Sequence, residues 1–348
     1  MKTFQISLLA IAGLAVSYIS SCKKADHSPP AVLNIDFPAA YVVNGSSNTI
    51  SVLHLSEAKE KATITLNGGS YPHHIYFNPD KSKMAVAITS TDLSAGHGGH
   101  SGGISGLRVQ IINSKTGVIE KEIILDKMPH NAVFNKDGSE LWLGQRATME
   151  SSVLVYNTSD WTLKNTIPVG KSLSEVTFAK DGSMAFAANT MDGTIAMIDP
   201  ATKMVHKIIT VGEDPVGAWP GVSGQMFVDN ETSQTISVVD AMTGNITATF
   251  PLGYKPGYVA QHPNGELWVS DATNGKVVVY QLSGGSWMEM HNFATGADAH
   301  AIDFNSDGSK AYVTNQGAGN VSVISTATHT KLQDIAVGTK PNGIIIKN

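Results

Sequence analysis

Twelve histidines and one cysteine are the side chains here whose chemistry depends most on their company. Six of the histidines stand out by spacing: the adjacent pair His73-His74, the loop His97-Gly98-Gly99-His100, and the separate His130 and His300. Neutral imidazole is a good ligand for zinc, copper, nickel or iron, so several imidazoles meeting at one point hold a metal without thiolate. The plainer alternative is that these histidines hydrogen-bond neighbouring strands and that the glycine-rich loop is an idle excursion. Arg146 and Glu150 fall in a loop that could line the same region, although exposed loop charge also explains them. Trp142, Trp219 and Trp268 read as packing residues, and Asn44, Asn189, Asp229, Asp271 and Asn315 as turn-bonding strand ends. The sequence contains no Gly-x-Ser-x-Gly elbow, phosphate-binding loop or Cys-x-x-Cys-His.

Whether the histidines meet depends on the elements that carry them, and those elements repeat. With Phe77 as a ruler, equivalent positions are Phe134, Phe178, Pro220, Gln261, Phe304 and Ile346, at spacings of 57, 44, 42, 41, 43 and 42. Each unit has a turn such as Asp137-Gly138, Asp181-Gly182, Asn264-Gly265 or Asp307-Gly308 between apolar runs, a strong hairpin signal. Strands such as Leu141-Trp142-Leu143, Ile236-Ser237-Val238-Val239 and Ile335-Ala336-Val337 complete four short antiparallel strands per unit, which is a propeller blade. The first unit starts late, at Ala40-Tyr41-Val42-Val43-Asn44, and the final Pro341-Asn342-Gly343-Ile344-Ile345-Ile346 is a strand without a blade. Joining the two closes the ring and removes exposed edges. The expected fold is therefore all-β, a seven-bladed β-propeller whose first blade is closed by the C-terminal strand.

The run Ala311-Tyr312-Val313-Thr314-Asn315, followed by Gly319-Asn320-Val321-Ser322-Val323-Ile324, resembles the YVTN repeat of microbial surface propellers related to the YncE-like periplasmic proteins. The resemblance extends over essentially the whole chain after its N-terminal segment and implies a fold, not an activity.

The repeat also serves as a coordinate system. Four residues before the ruler stand His73, His130, Ser174, Val216, Gly257, His300 and Asn342. In ring order His300, Asn342, His73 and His130 come from consecutive blades and form an arc. The 57-residue spacing marks about 15 extra residues in the second blade, at Ser94–Gly106, between its second and third strands. Strand starts and such loops emerge on one face, so His97 and His100 are expected beside His73, His74, His130 and His300. The arrangement is similar to the propeller histidines of nitrous oxide reductase. This chain has fewer axial histidines and no cysteine-rich second copper domain, which argues against nitrous oxide reduction. Propeller lactonases share the fold class, but no catalytic constellation of theirs maps onto these residues.

At the N-terminus, Met1-Lys2-Thr3, an apolar run from Phe4 to Val16 and Ile19-Ser20-Ser21-Cys22 have the layout of a signal peptide ending in a lipobox. The expected division is a signal peptide over 1–21, a polar Pro-containing tether over 22–33 and the propeller over 34–348, with Cys22, the sole cysteine, lipidated. A formal net charge of −5 with 15% charged residues excludes a nucleic-acid binder. The sequence thus leads us to expect a monomeric, non-catalytic cell-envelope lipoprotein. It would be anchored in the membrane through Cys22 and bind a protein, peptide or envelope polymer on one face, with no certain cofactor. The alternatives are a copper or zinc site on the histidine arc and a lactonase-like hydrolase.

Overall fold

The computed structural model describes residues 32–94 and 105–348. The chain forms the expected ring: seven antiparallel sheets of four strands each. Among the described residues the one helical element is the 3-10 turn Thr190–Asp192. The C-terminal strand Pro341–Lys347 pairs with Ala39–Asn44, from Ala39 opposite Lys347 to Asn44 opposite Pro341. Chain end and chain start therefore share one blade.

Each blade follows from a gradient of hydrophobicity across its strands. Second strands are nearly continuous apolar runs, such as Lys83–Ile88 and Ala185–Asn189, because both of their faces pack against neighbouring blades. Outer strands such as Lys59–Thr65 and Met204–Thr210 alternate with solvent and turn one aliphatic residue inward, Ile64 and Ile209. Seven apolar clusters of described residues lie between blades, one per junction; Tyr41, Ile50, Val86 and Ile112 belong to the junction beside the closing blade. Each fully buried aliphatic side chain there contributes about 1.5–3 kcal/mol. Gly138, Gly182 and Gly308 take positive φ in the blade turns, and Lys81 does so where the second blade lacks the glycine. Asn44, Asn189 and Asn315 end their strands packed against Gly338, Gly170 and Gly296, where a Cβ would come within 3 Å of the amide.

Blade five corrects one sequence assignment. Asn230, not Asp229, ends its strand and packs against Gly212, while Asp229 is fully buried one residue earlier. No turn bond explains it: its Oδ1 accepts from the backbone N–H of Gly217 at 2.9 Å and from Trp219 Nε1 at 2.8 Å.

The inner strands share a defect that matters for the site. Pairing slips between His73 and Ile75, Pro129 and Ala132, Leu173 and Val176, Pro215 and Ala218, Pro256 and Tyr258, and Ala299 and Ile302. A bulge of this kind leaves a residue unpaired and re-aims side chains that strict alternation would send to opposite faces.

Candidate metal centre on the propeller axis

The inner strands Pro72–Phe77, Met128–Phe134, Leu173–Phe178 and Ala299–Phe304 carry the residues that meet near the axis. Because of the bulge, His73 and His74 both point into it, with ring centroids 4.2 Å apart and perpendicular planes. His74 holds a left-handed φ of 47°, uncommon for a non-glycine residue. Gly343 makes room for it, since a Cβ there would sit 2.8 Å from His74 Cα.

The His130 ring lies 4.7 Å from His73, and the His300 ring lies 5.7 Å from His74. All four imidazoles are buried. Glu175, from the fourth blade, completes the group. Its Oε1 lies 2.8 Å from His130 Nδ1 and 3.0 Å from His74 Nε2, and its Oε2 accepts from the Tyr76 hydroxyl at 3.2 Å. One donor atom each from His73, His74, His130 and Glu175 falls within 4.8 Å of every other.

This set fits a transition metal. Three imidazoles and a carboxylate are the donors of zinc and copper sites, and one negative charge offsets half that of a divalent ion. Burial pushes the Glu175 carboxyl well above the usual carboxylate range, and the charge of Asp229 adds to the effect. Burial likewise pushes Asp229 up to about 8 and Asp303 up to about 7.

Cross-blade bonding is present as well. His300 Nδ1 lies 2.9 Å from the carbonyl oxygen of Asn342, which requires a proton on Nδ1. Asn131 and Val176 exchange two hydrogen bonds between the third and fourth blades. Inter-blade hydrogen bonding thus accounts for part of the geometry, including the position of His300, which stays outside the converging set, but it does not draw three rings and a carboxylate together.

Two cavities flank the cluster. One of about 200 Å³, the mouth cavity, is lined by His300, Glu231, Lys255, Asp298 and Gln316 on the side of Leu93 and Ser94. Another of about 190 Å³, farther along the inner strands, is lined by His74, Tyr76, Tyr258 and Asp303. Trp219 packs between the fifth and sixth blades as expected, 4.0 Å from the Tyr258 ring, and its ring also comes within 6.3 Å of His74. Trp142 and Trp268 are fully buried among the blades as expected. Arg146 turns inward, donating to Ser174 Oγ at 3.2 Å, whereas Glu150 is exposed. His97, His100 and Cys22 lie outside the described residues.

Glu175 is the residue the sequence did not disclose. The histidine column holds Ser174 in its blade, and the carboxylate stands one column further on, beside His74.

No protein-family model matches the sequence, and no curated protein does. Solved structures are similar over nearly their whole length. The periplasmic gluconolactonase of Pseudomonas aeruginosa superimposes with a TM-score of 0.69 at 16% identity, covering 89% of this chain and 99% of its own. A Bacteroides uniformis protein provisionally assigned as a 6-phosphogluconolactonase gives 0.70 at 12%, covering 89% and 99%. Hydrazine synthase of Kuenenia stuttgartiensis gives 0.71 at 16%, with the same coverage. Identities this low establish the fold alone. Propellers named as lactonases are among these structures, which favours the lactonase-like alternative over the non-catalytic, macromolecule-binding expectation, and that expectation is withdrawn. What these comparisons and the geometry establish together is a seven-bladed β-propeller with a histidine and carboxylate cluster on its axis.

Proposed function

We propose that this protein is a lactonase-like hydrolase whose axial cluster binds a divalent transition ion, zinc or copper, on His73, His74, His130 and Glu175. The observation that carries the proposal is the convergence of those four buried donors within 4.8 Å, one of them, His74, lining a cavity. The likeness to propellers named as lactonases supports the choice of reaction class.

A bound ion would supply Lewis acidity, polarising an ester carbonyl and lowering the pKa of bound water toward neutrality. The protein's own groups do the rest. Tyr76 holds Oε2 of Glu175, so the carboxylate keeps its other oxygen toward the imidazoles. His300 lines the mouth cavity, and its Nδ1 donates to the carbonyl oxygen of Asn342 at 2.9 Å. The burial of the cluster keeps bulk water from competing.

Two further assignments belong to the same proposal. The chain is a YVTN-type repeat protein, supported by its Tyr312-Val313-Thr314-Asn315 unit. It is extracytoplasmic and anchored by lipid at Cys22, supported by the signal-like N-terminus; one similar structure is a periplasmic enzyme. No helix among the described residues is long and apolar enough to cross a membrane.

The test is hydrolysis of a panel of γ- and δ-lactones by the mature protein, stripped with a chelator and then reloaded with zinc or copper. Turnover that disappears on stripping and returns on reloading is expected. Unchanged turnover after complete stripping removes the metal from the mechanism, and no turnover of any lactone or ester removes the hydrolase.

A further inference from the structure

The mouth cavity carries information about what enters it. Gln316 is 3% exposed and lines the cavity, yet its Oε1 has no hydrogen-bond partner among the described residues. A buried acceptor left in this state is made good by a donor from a ligand or a trapped water. Its backbone N–H donates to the carbonyl of Asp298 at 2.8 Å, which places the two residues side by side on the rim. Asp298 sits at a left-handed φ of 59°, and no hydrogen bond among the described residues engages its carboxyl group. Both of these cavity-lining residues thus carry an acceptor oxygen that no donor among the described residues engages.

The cations nearby are already matched. Lys255 pairs with Glu231 at 2.7 Å, Lys340 pairs with Asp92, and the field of Asp214 and Glu231 falls on Arg146. Burial raises the Asp298 carboxyl and Lys340 and Lys255 act against that rise, so two lysines serve three acids, Glu231, Asp92 and Asp298, and one negative charge is in surplus. Leu93, Pro256 and Ala272 add an apolar wall of the kind that packs against the C–H face of a saturated ring.

We infer that the mouth cavity is a subsite for an uncharged, polyhydroxylated ring, and that it discriminates against the same ring bearing a phosphate. Hydroxyl donors satisfy Gln316 Oε1 and the Asp298 carboxylate, whereas a phosphate meets a surplus negative charge and no uncommitted cation. The inference rests on the lactone-hydrolase reading only in naming the ring a lactone. The binding site itself is read from the rim.

The experiment is calorimetric titration with two non-hydrolysable mimics, a neutral sugar δ-lactam and its 6-phosphate, at low ionic strength. Turnover is not needed, so binding without hydrolysis would sink the hydrolase and leave the subsite. Hydrolysis without discrimination would do the reverse. The expected result is saturable binding of the neutral lactam, with the phosphorylated one at least about tenfold weaker. Gln316→Leu and Asp298→Asn, both checked for unchanged melting, should each weaken the neutral lactam about fivefold or more, and Asp298→Asn should also narrow the phosphate penalty. Equal or tighter binding of the phosphorylated mimic overturns the inference. So does binding of neither mimic, or neutral-lactam affinity that both substitutions leave unchanged.

Discussion

Glu175 and its neighbours make a residue-scale problem of charge. The carboxyls of Glu175, Asp229 and Asp303 are all raised above their ordinary values by loss of solvent around them. An acid whose folded pKa is raised stabilises the fold most when the pH is below its unfolded value. That contribution is lost as pH climbs through the folded value. For Asp229 the window runs from its ordinary 3.8 to about 8. Asp229→Asn keeps an oxygen for the Gly217 and Trp219 donors and removes the charge. Denaturant melts between pH 5 and pH 9 should therefore show the wild type losing on the order of 1–3 kcal/mol more than the variant; parallel profiles would show that Asp229 does not titrate. His130→Ala removes a proposed ligand and should lower lactone turnover by more than about 100-fold, measured as kcat/KM at saturating metal. The histidine arc was legible because one repeat column collects His73, His130 and His300. Glu175 was not, because strand alternation assigns neighbouring residues to opposite faces. A pairing slip, which leaves no mark in composition, brings positions 74 and 175 onto the axis.

The bulged inner strand is the device that makes a site at the scale of elements. It presents two successive residues where a regular strand presents one, and in the second blade both are histidine. The neighbouring strand must then come close, which is why residue 343 has no side chain. Gly343→Ala should destabilise the protein by roughly 1–3 kcal/mol through the clash with His74. It should also reduce metal affinity more than Gly138→Ala, whose strain lies in a surface turn with φ of 76°. Thermal melts and metal titration of the two variants separate local strain from damage to the site. The sequence showed the strands, their turns and the enlarged second blade, since hairpin signals and alternation are local. It misplaced Asp229 as a strand end because Asn230 beside it satisfies the same pattern, and only burial tells them apart.

For the whole molecule, closure by the last strand ties the site to the ring. Residues Pro341–Lys347 complete the first blade and also supply Asn342, whose carbonyl accepts from His300, and Gly343, which accommodates His74. Deleting 341–348 should therefore cost both the cooperative thermal transition and metal binding, followed by circular dichroism and gel filtration. A truncated protein that still melts cooperatively as a monomer would show the ring stable without its clasp. The central claim, a metal held by His73, His74, His130 and Glu175, is tested most directly by metal content. Mature protein purified without a histidine tag would be loaded with zinc or copper, freed of excess by gel filtration and analysed by elemental mass spectrometry. About one ion per wild-type chain is predicted, with near-complete loss in both His73→Ala and His130→Ala. No stoichiometric metal in the wild type, or equal loading in the two variants, would contradict it.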